Sequence, residues 1–139
     1  MKEFDDFYSL VQKSINLDPW AKNTKTIGYC KELINEAKEA INAIEKKDIE
    51  NLKEELADVL YDWLHAVALA EQEYNYKNED NSDRYNSESN IELKEIINQA
   101  KKKLLHRKPY ILDNKQVNLE ESLRIWKEQK AKEKNHKTL

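Results

Sequence analysis

The sequence is poor in residues that make tight turns and covalent cross-links. Its 139 residues include 1 glycine, 2 prolines and 1 cysteine. So few turn-forming residues exclude a sandwich or barrel of many short strands. The single glycine, Gly28, excludes a glycine-rich phosphate-binding loop. The lone cysteine, Cys30, cannot form an internal disulfide, and we expect it to be a small buried hydrophobic residue in a cytoplasmic protein.

Long apolar runs and an excess of basic residues are also missing. The longest nearly apolar stretch, residues 63–70, is far too short to cross a bilayer, and the acidic residues 1–6 do not resemble a signal or transit peptide. A net charge of −3 is not typical of nucleic-acid-binding proteins. Charged residues make up 37% and apolar residues 39% of the chain, a balance typical of amphipathic helices. We therefore expect an all-α protein without membrane or nucleic-acid partners.

Apolar spacing and capping signals predict an antiparallel bundle of four to five helices in a single domain, residues 1–139. The Asp18-Pro19 dipeptide ends the first helix and opens a loop, and residues 75–87 are a second polar loop. Asp48, Ser89 and Asn118 are the predicted N-caps of later helices, Ser89 with Glu92 forming a capping box. The predicted helices cover residues 2–15, 26–46, 48–74, 89–106 and 119–134.

Two of these helices have wide apolar stripes. Together the stripes offer more hydrophobic surface than one small bundle needs to bury, which favours an oligomer. In helix 26–46 the stripe recurs with a period near 3.5 residues. The stripes comprise Ile27, Cys30, Ile34, Ala37, Ile41 and Ile44 in the earlier helix, and Leu52, Leu56, Val59, Leu60, Trp63 and Val67 in the later one.

The candidate chemistry consists of two pairs of carboxylates. Glu36 and Glu39 are three residues apart, as are Glu55 and Asp58, so each pair shares one face of its helix. A short connection makes the two helices antiparallel neighbours, and the pairs can then converge. Converging carboxylates repel one another unless a cation neutralises them, and hard oxygen ligands suit Mg²⁺ or Mn²⁺. The competing interpretation is a solvated charged face, but these residues border the apolar seam.

Four segments resemble the MazG-type all-α nucleoside triphosphate pyrophosphohydrolases. The acidic pairs lie in ELINEAKEAINAI and KEELADVL, which are similar to the Glu-x-x-Glu and Glu-x-x-Asp signature of that family. The segments DPWAKNTKTIGYCKEL, KKKLLHRKPYIL and VNLEESLRIWKEQKAKEK resemble its entry, basic and closing segments in the same order. The match covers residues 18–134 apart from the polar loop. One departure is Asn35, which stands where the family often has a further glutamate.

The resemblance implies specific roles for residues of this chain. Glu36, Glu39, Glu55 and Asp58 would be ligands of Mg²⁺, with Mn²⁺ as a substitute, and Glu39 or Glu55 would accept the proton of the attacking water. The implied reaction converts a nucleoside or deoxynucleoside triphosphate and water into the monophosphate and pyrophosphate. The resemblance also implies a homodimer or higher homo-oligomer. The implied triphosphate contacts are Lys103 and Arg107.

Several alternatives stay open from the sequence. Trp20 is either a platform for the base of the substrate or a structural anchor after Pro19, and Asp62 either joins the acidic site or faces solvent. The same fold could carry a phosphoribosyl-ATP pyrophosphatase. A non-catalytic helical bundle that binds nucleotides or partner proteins is the alternative from a different functional class.

Overall fold

A computed structural model describes residues 1–75 and 90–137 of the chain, and every regular element in those ranges is helical. The predicted all-α class is confirmed. None of the described helices is both long enough and apolar enough to span a membrane. The predicted 75–87 loop beyond Asn75 and the Ser89 cap lie outside the described residues. The elements are α1 (Lys2–Leu17), α2 (Pro19–Glu45), α3 (Ile49–Asn75), α4 (Leu93–Arg107), a 3-10 helix (Pro109–Ile111) and α5 (Leu119–Lys137).

The backbone groups into two compact units. The first, Met1–Leu93, contains α1, α2 and α3, and the second, Lys94–Leu139, contains nearly all of α4 together with α5. Each unit is described by itself below. The single domain over residues 1–139 stays a prediction.

The predicted loop after α1 is wrong over residues 19–24, which are helical. Asp18 does end α1, in an extended conformation, but its carboxylate also accepts a hydrogen bond from the Trp20 N–H at 3.0 Å. Asp18 is therefore the N-cap of α2, and Pro19 occupies the first helical position, where its missing N–H costs nothing. The Asp-Pro pair stops one helix and starts the next without an intervening loop.

A kink divides α2 at the place where the sequence predicts a helix start. Lys25 has φ 61° and ψ 179°, a conformation that is strained for a residue with a side chain. The Thr26 N–H, freed by the kink, donates to the Glu73 carboxylate at 2.8 Å. Gly28 lies just after the kink, and a Cβ there would lie 2.2 Å from Thr24 Cγ2, so that a larger residue would displace the Thr24 side chain. The kink thus separates a short helical turn from the long acidic part of α2.

A tight turn makes α2 and α3 antiparallel neighbours, as predicted. Lys47 adopts the left-handed conformation (φ 57°), and the Asp48 N–H reaches back to the Ala43 carbonyl at 3.0 Å. The Asp48 side chain then accepts a hydrogen bond from the Asn51 N–H at 3.1 Å. The predicted Asp48 cap is therefore confirmed, and it places the two acidic pairs on adjacent helices.

The core of the first unit lies where α1 packs against the carboxyl-terminal half of α3. His65 belongs to this core: its Nδ1–H donates to the Tyr61 carbonyl at 2.8 Å, and its Nε2 pairs with the Ser14 hydroxyl at 3.2 Å. Both ring nitrogens are satisfied, as expected for an ordinary core histidine. The core residues are Val11, Ile15, Ala21, Tyr29, Leu64, Ala66, Ala68 and Leu69.

The apolar stripe of α2 faces away from this core. Ile27, Ile34 and Ile41, seven residues apart, are 64%, 57% and 56% exposed. Cys30 is exposed on the same face, so its interpretation as a buried residue is wrong. The predicted buried stripe of α3 is also wrong at Leu56, which is 54% exposed. Small residues, Ala40 and Ala43, are buried on α2 instead, because they let the two helices approach closely.

Helix α4 begins later than predicted, at Leu93 and not at residue 89. The Asn75 side chain hydrogen-bonds both the N–H and the carbonyl of Ile91, and residue 91 lies outside any helix. The Leu93 N–H donates to the Glu71 carboxylate at 2.7 Å, and the same carboxylate accepts from the Tyr8 hydroxyl at 2.8 Å. Side chains of α3 therefore determine where the next helix starts.

In the second unit, the predicted start of the last helix is confirmed. The Asn118 side chain accepts a hydrogen bond from the Glu121 N–H at 2.8 Å. The segment between α4 and α5 is tied down by a 2.7 Å hydrogen bond between the Tyr110 and Ser122 hydroxyls.

Candidate metal centre

Three of the four predicted acidic residues form one cluster between α2 and α3. Glu36, Glu55 and Asp58 each offer a carboxylate oxygen, and these oxygens all lie within 4.8 Å of one another. All three side chains are half-buried. Oxygens on opposite sides of one Mg²⁺ are roughly 4.2 Å apart. The cluster therefore has nearly the span that a single small divalent cation requires.

The electrostatics of the cluster are unfavourable without a cation. Burial raises the pKa of Glu36 and Glu55, and the charge of Asp58 raises both further. The neighbouring Glu36 raises the pKa of Glu55 as well. Carboxylates that crowd in this way either take up a proton or bind a cation.

The structure places Glu39 at the edge of the cluster. Its side chain is exposed, and it is not among the three residues whose oxygens converge. Its charge is nevertheless felt by Glu55, whose pKa it helps to raise. The predicted ligand and base roles of Glu39 stay predictions.

Asp62 and Glu32 extend the acidic surface by one helical turn. Asp62 is only 7% exposed, and burial, followed by the charges of Glu32 and Asp58, raises its pKa to about 6. Asp62 therefore does not face solvent, although it is not among the three residues whose oxygens converge. Glu32 was missed, although its four-residue spacing from Glu36 is the same as that of Asp62 from Asp58.

No basic side chain neutralises these acids within residues 1–75 and 90–137. The ion pairs of that part of the chain involve Glu50, Glu128 and Glu133, and none involves Glu32, Glu36, Glu55, Asp58 or Asp62. Half-buried carboxylates without cationic partners are unstable as bare anions. The donor set is made of hard oxygens, and it fits Mg²⁺ or Mn²⁺.

Aromatic rings lie beyond the acidic residues along the same two helices. The Tyr29 ring stacks on His65 with centroids 5.0 Å apart, and Trp20 packs edge-on against Tyr29 at 5.2 Å. Trp20 is thus anchored, yet 53% of it is exposed, so one ring is both a structural contact and an available surface. Tyr29 is fully buried, and its hydroxyl has no hydrogen-bond partner among residues 1–75 and 90–137.

The two predicted phosphate contacts lie in the second unit and differ in their surroundings. Lys103 is exposed and lines an open groove of about 900 Å³ along α4. Arg107 is mostly buried and forms an ion pair with Glu133, with Nη2 3.0 Å from Oε2. Its guanidinium also lies 4.6 Å from the centre of the Trp126 ring. Arg107 therefore has partners within its own unit, which the sequence did not predict.

Comparisons with known proteins point to one family. A family model described as the MazG nucleotide pyrophosphohydrolase domain matches residues 25–112, more than half of the chain. A solved structure, that of a mazG-related protein from Thermotoga maritima, is similar with a TM-score of 0.74 and 28% sequence identity. That similarity covers 91% of this chain and 98% of the other.

Two curated relatives are both named nucleoside triphosphate pyrophosphohydrolase. The protein from Mycobacterium tuberculosis is 25% identical over 134 residues, and that from Mycolicibacterium smegmatis is 26% identical over 132 residues. The matches cover 96% and 95% of this chain, but only 37% of each relative. The chain therefore spans a little over one third of the length of these relatives.

Proposed function

This chain belongs to the MazG nucleotide pyrophosphohydrolase domain family, and we propose that it hydrolyses nucleoside or deoxynucleoside triphosphates to monophosphates and pyrophosphate. The observation that carries the proposal is the cluster of Glu36, Glu55 and Asp58, whose oxygens lie within 4.8 Å and have no cationic partner in the described part of the chain. The names of the curated relatives support the same reaction.

In this proposal, Glu36, Glu55 and Asp58 hold Mg²⁺ or Mn²⁺, with Glu39 completing the set from the edge. The bound cation supplies charge neutralisation for the phosphates and lowers the pKa of a coordinated water. Glu55 or Glu39 accepts the proton of the attacking water.

The remaining chain supplies contacts to the substrate. The residues predicted to contact the triphosphate stay Lys103, whose side chain is exposed, and Arg107, which is ion-paired with Glu133. The exposed face of Trp20 would stack on the nucleobase. The net charge of −3 argues against nucleic acid as a partner, and a chain with one cysteine that consumes nucleotides is expected in the cytoplasm.

The test is a panel of ribonucleoside and deoxyribonucleoside triphosphates with Mg²⁺, with pyrophosphate and orthophosphate measured separately. We expect pyrophosphate as the first product, abolished by a chelator and restored by Mg²⁺ or Mn²⁺. Orthophosphate as the first product would contradict attack at the α-phosphorus. Nucleotide binding without any turnover across the panel would favour the non-catalytic alternative, and turnover of phosphoribosyl-ATP alone would favour the other pyrophosphatase.

We also infer that the chain forms a homodimer through the exposed stripe of α2. Ile27, Ile34 and Ile41 repeat every seven residues and are each more than half exposed, and the exposed Leu56 adds to this apolar surface from α3. A heptad-spaced apolar seam on a helical pair is the pattern that packs against another helical pair. A second copy of the chain presents the same seam, so the contact is self-complementary.

Light scattering after size exclusion tests this inference. We expect twice the mass of the 16.5 kDa chain for the wild type, and a shift toward monomer for Ile34→Glu combined with Ile41→Glu. The matched control is Leu112→Glu, which changes an exposed leucine of the second unit and is expected to leave the mass unchanged. A monomeric wild type at micromolar concentration would contradict the homodimer.

A further inference from the structure

Arg107 is fixed from two directions within the second unit. Its Nη2–H donates to Glu133 Oε2 at 3.0 Å, and its Nε–H donates to Glu133 Oε1 at a longer 3.4 Å. The guanidinium carbon lies over the Trp126 ring, 4.6 Å from its centre, which is within the range of a cation–π contact. Only 13% of the Arg107 side chain is exposed. These contacts hold a long and otherwise flexible side chain in one orientation.

Glu133 occupies one edge of this guanidinium and leaves the other. A guanidinium makes a two-pronged contact with an oxyanion either through Nε and Nη2 or through Nη1 and Nη2. Glu133 takes the first edge. Within residues 1–75 and 90–137, the hydrogen-bond acceptors of Arg107 are the two oxygens of Glu133, so the Nη1–Nη2 edge is available to a ligand. Arg107 also lines the open groove along α4, from which a ligand can reach it.

Glu133 is itself held in place as an anion. His106 Nδ1 lies 2.8 Å from Glu133 Oε1, and Arg107 binds both carboxylate oxygens. The hydrogen bond from Arg107 and then that from His106 lower the pKa of Glu133 to about 2, so the carboxylate is ionised at neutral pH. The pair therefore joins the end of α4 to α5 through a fixed charge.

Another arginine of α5, Arg124, shows how different this arrangement is. Arg124 pairs with Glu128 one turn along the same helix, and both side chains are more than half exposed. Exposed pairs of that kind contribute little to stability. The Arg107 and Glu133 side chains are only 13% and 30% exposed, and their contact crosses from one helix to another. The second pair is suited to orient an arginine, and the first only balances its charge.

We propose that Glu133 is a positioning residue, which fixes the Arg107 guanidinium so that its Nη1–Nη2 edge binds a phosphate group of the substrate from the groove along α4. Trp126 supports the guanidinium from one side, and Glu133 prevents it from turning on the ring. Glu133 does not touch the phosphate. The ligand class is a pyrophosphate or triphosphate, because the arginine fork matches two oxygens of one phosphate group. This inference deepens the proposed function, on which it rests for the identity of the substrate.

The test measures the binding of inorganic pyrophosphate to the full chain by calorimetry, in the presence of Mg²⁺. We expect Glu133→Gln to bind pyrophosphate about 10-fold more weakly than the wild type, because a displaced contact loses much of its effect. Glu133→Asp keeps the charge and should recover part of the affinity. The matched control is Glu128→Gln, which removes an exposed acid from the same helix and should bind within about twofold of the wild type.

A second comparison separates positioning from a general structural role. Arg107→Ala should weaken pyrophosphate binding at least as much as Glu133→Gln does. Adding Glu133→Gln to Arg107→Ala should cause no further loss, because a residue that acts only through Arg107 has no effect once Arg107 is removed. Circular dichroism checks that each variant is folded at the temperature of the measurement.

The outcomes separate this inference from the proposed function. Unchanged or tighter pyrophosphate binding by Glu133→Gln would show that the carboxylate competes with phosphate and does not position Arg107. A further loss in the double variant, or no pyrophosphate binding by the wild type, would also overturn the inference. Binding that depends on Glu133, without turnover of any triphosphate, keeps the inference and removes the proposed reaction. Triphosphate turnover that neither variant changes does the reverse. If Glu133→Gln does not fold, Glu133→Asp decides, with a smaller loss expected.

Discussion

Acidic side chains have opposite surroundings in the two units of this protein. In the second unit, the hydrogen bond from Arg107 and then that from His106 lower the pKa of Glu133 to about 2. In the first unit, burial and acidic neighbours raise the pKa of Glu55, and raise that of Asp62 to about 6. The same functional group is stabilised as an anion in one place and destabilised in the other.

The difference shows which acidic side chains have a cationic partner within the chain. Glu133 already has a cationic partner in Arg107 and a further contact with His106, so it links α4 and α5. The clustered acids Glu36, Glu55 and Asp58 form no ion pair among the described residues, which is why we propose that they bind a cation from solution. An acidic residue count alone cannot separate these cases, because the chain has 27 acids. The partner of each acid separates them.

The largest expected effect is on catalysis. Glu55→Gln and Asp58→Asn each remove one negative charge from the three-residue cluster while keeping the shape of the side chain. We expect pyrophosphate release to fall by more than about 100-fold, because even outer partners of a metal site cost 10- to 100-fold. Initial rates at saturating Mg²⁺ measure this.

The matched control for those variants is Glu54→Gln, an exposed acid beside Glu55 on α3. Its activity should stay within about twofold of the wild type, since it removes the same charge without touching the cluster. Activity near the wild-type level in Asp58→Asn would contradict the metal centre.

The next effect is on stability in the presence of Mg²⁺. A cation that binds only the folded chain stabilises it by about 2.7 kcal/mol when its concentration is 100 times the Kd. We expect thermal unfolding of the wild type to move upward as Mg²⁺ is added, and Glu55→Gln to respond much less. Glu133→Gln should respond like the wild type, because Glu133 is already paired. If Mg²⁺ raised the unfolding temperature of Glu55→Gln as much as that of the wild type, the proposed difference between the acids of the two units would be contradicted.

A smaller effect is expected in the pH dependence of the chelated protein. The pKa of Asp62 is raised from 3.8 to about 6, so the folded chain binds this proton more tightly than the unfolded chain. Stability should therefore increase as the pH falls from about 6 to about 4, by an amount on the order of 1 kcal/mol. Urea unfolding at several pH values with a chelator measures it. In Asp62→Asn, the free energy of unfolding should change less with pH than in the wild type. An unchanged pH dependence would contradict the raised pKa of Asp62.

The smallest effect concerns Glu133 and has the opposite sign. Its pKa is lowered from 4.5 to about 2, so its contribution to stability is complete above pH 4.5 and is lost as the pH falls toward 2. Glu133→Gln should lower Tm by a few degrees at neutral pH, and the difference from the wild type should shrink in acid. A constant difference over this pH range would show that the carboxylate charge does not matter.

The acidic centre shows which features of a site can be predicted from the spacing of residues along the sequence. The spacing of Glu55 and Asp58 predicts a shared helix face, and the Asp48 cap predicts the turn that brings Glu36 opposite them. The structure brings these three together. The sequence spacing of Asp62 is the same as that of many exposed acidic residues, so spacing alone does not predict whether Asp62 is buried. Its burial depends on the packing of α1 and α2 around α3, which spacing does not contain.

The apolar stripe of α2 is the converse case. Its regular spacing predicts a helix correctly. The same spacing is compatible with a face that is buried within the chain and with an exposed face that packs against a second chain. In the structure Ile34 and Ile41 are exposed while Ala40 and Ala43 are buried. Which face lies inward is decided by how closely two helix backbones approach, and small residues permit the closer approach.

What the sequence by itself determined is local: the helical class, the caps at Asp48 and Asn118, and the register of the acidic pairs. These follow from hydrogen bonds and side-chain directions within about one helical turn. Only the tertiary structure decided that Arg107 is paired with Glu133, 26 residues away, and that Asp62 is buried. Such pairings depend on which surfaces meet in space, and residues distant along the chain have no local signal of that meeting.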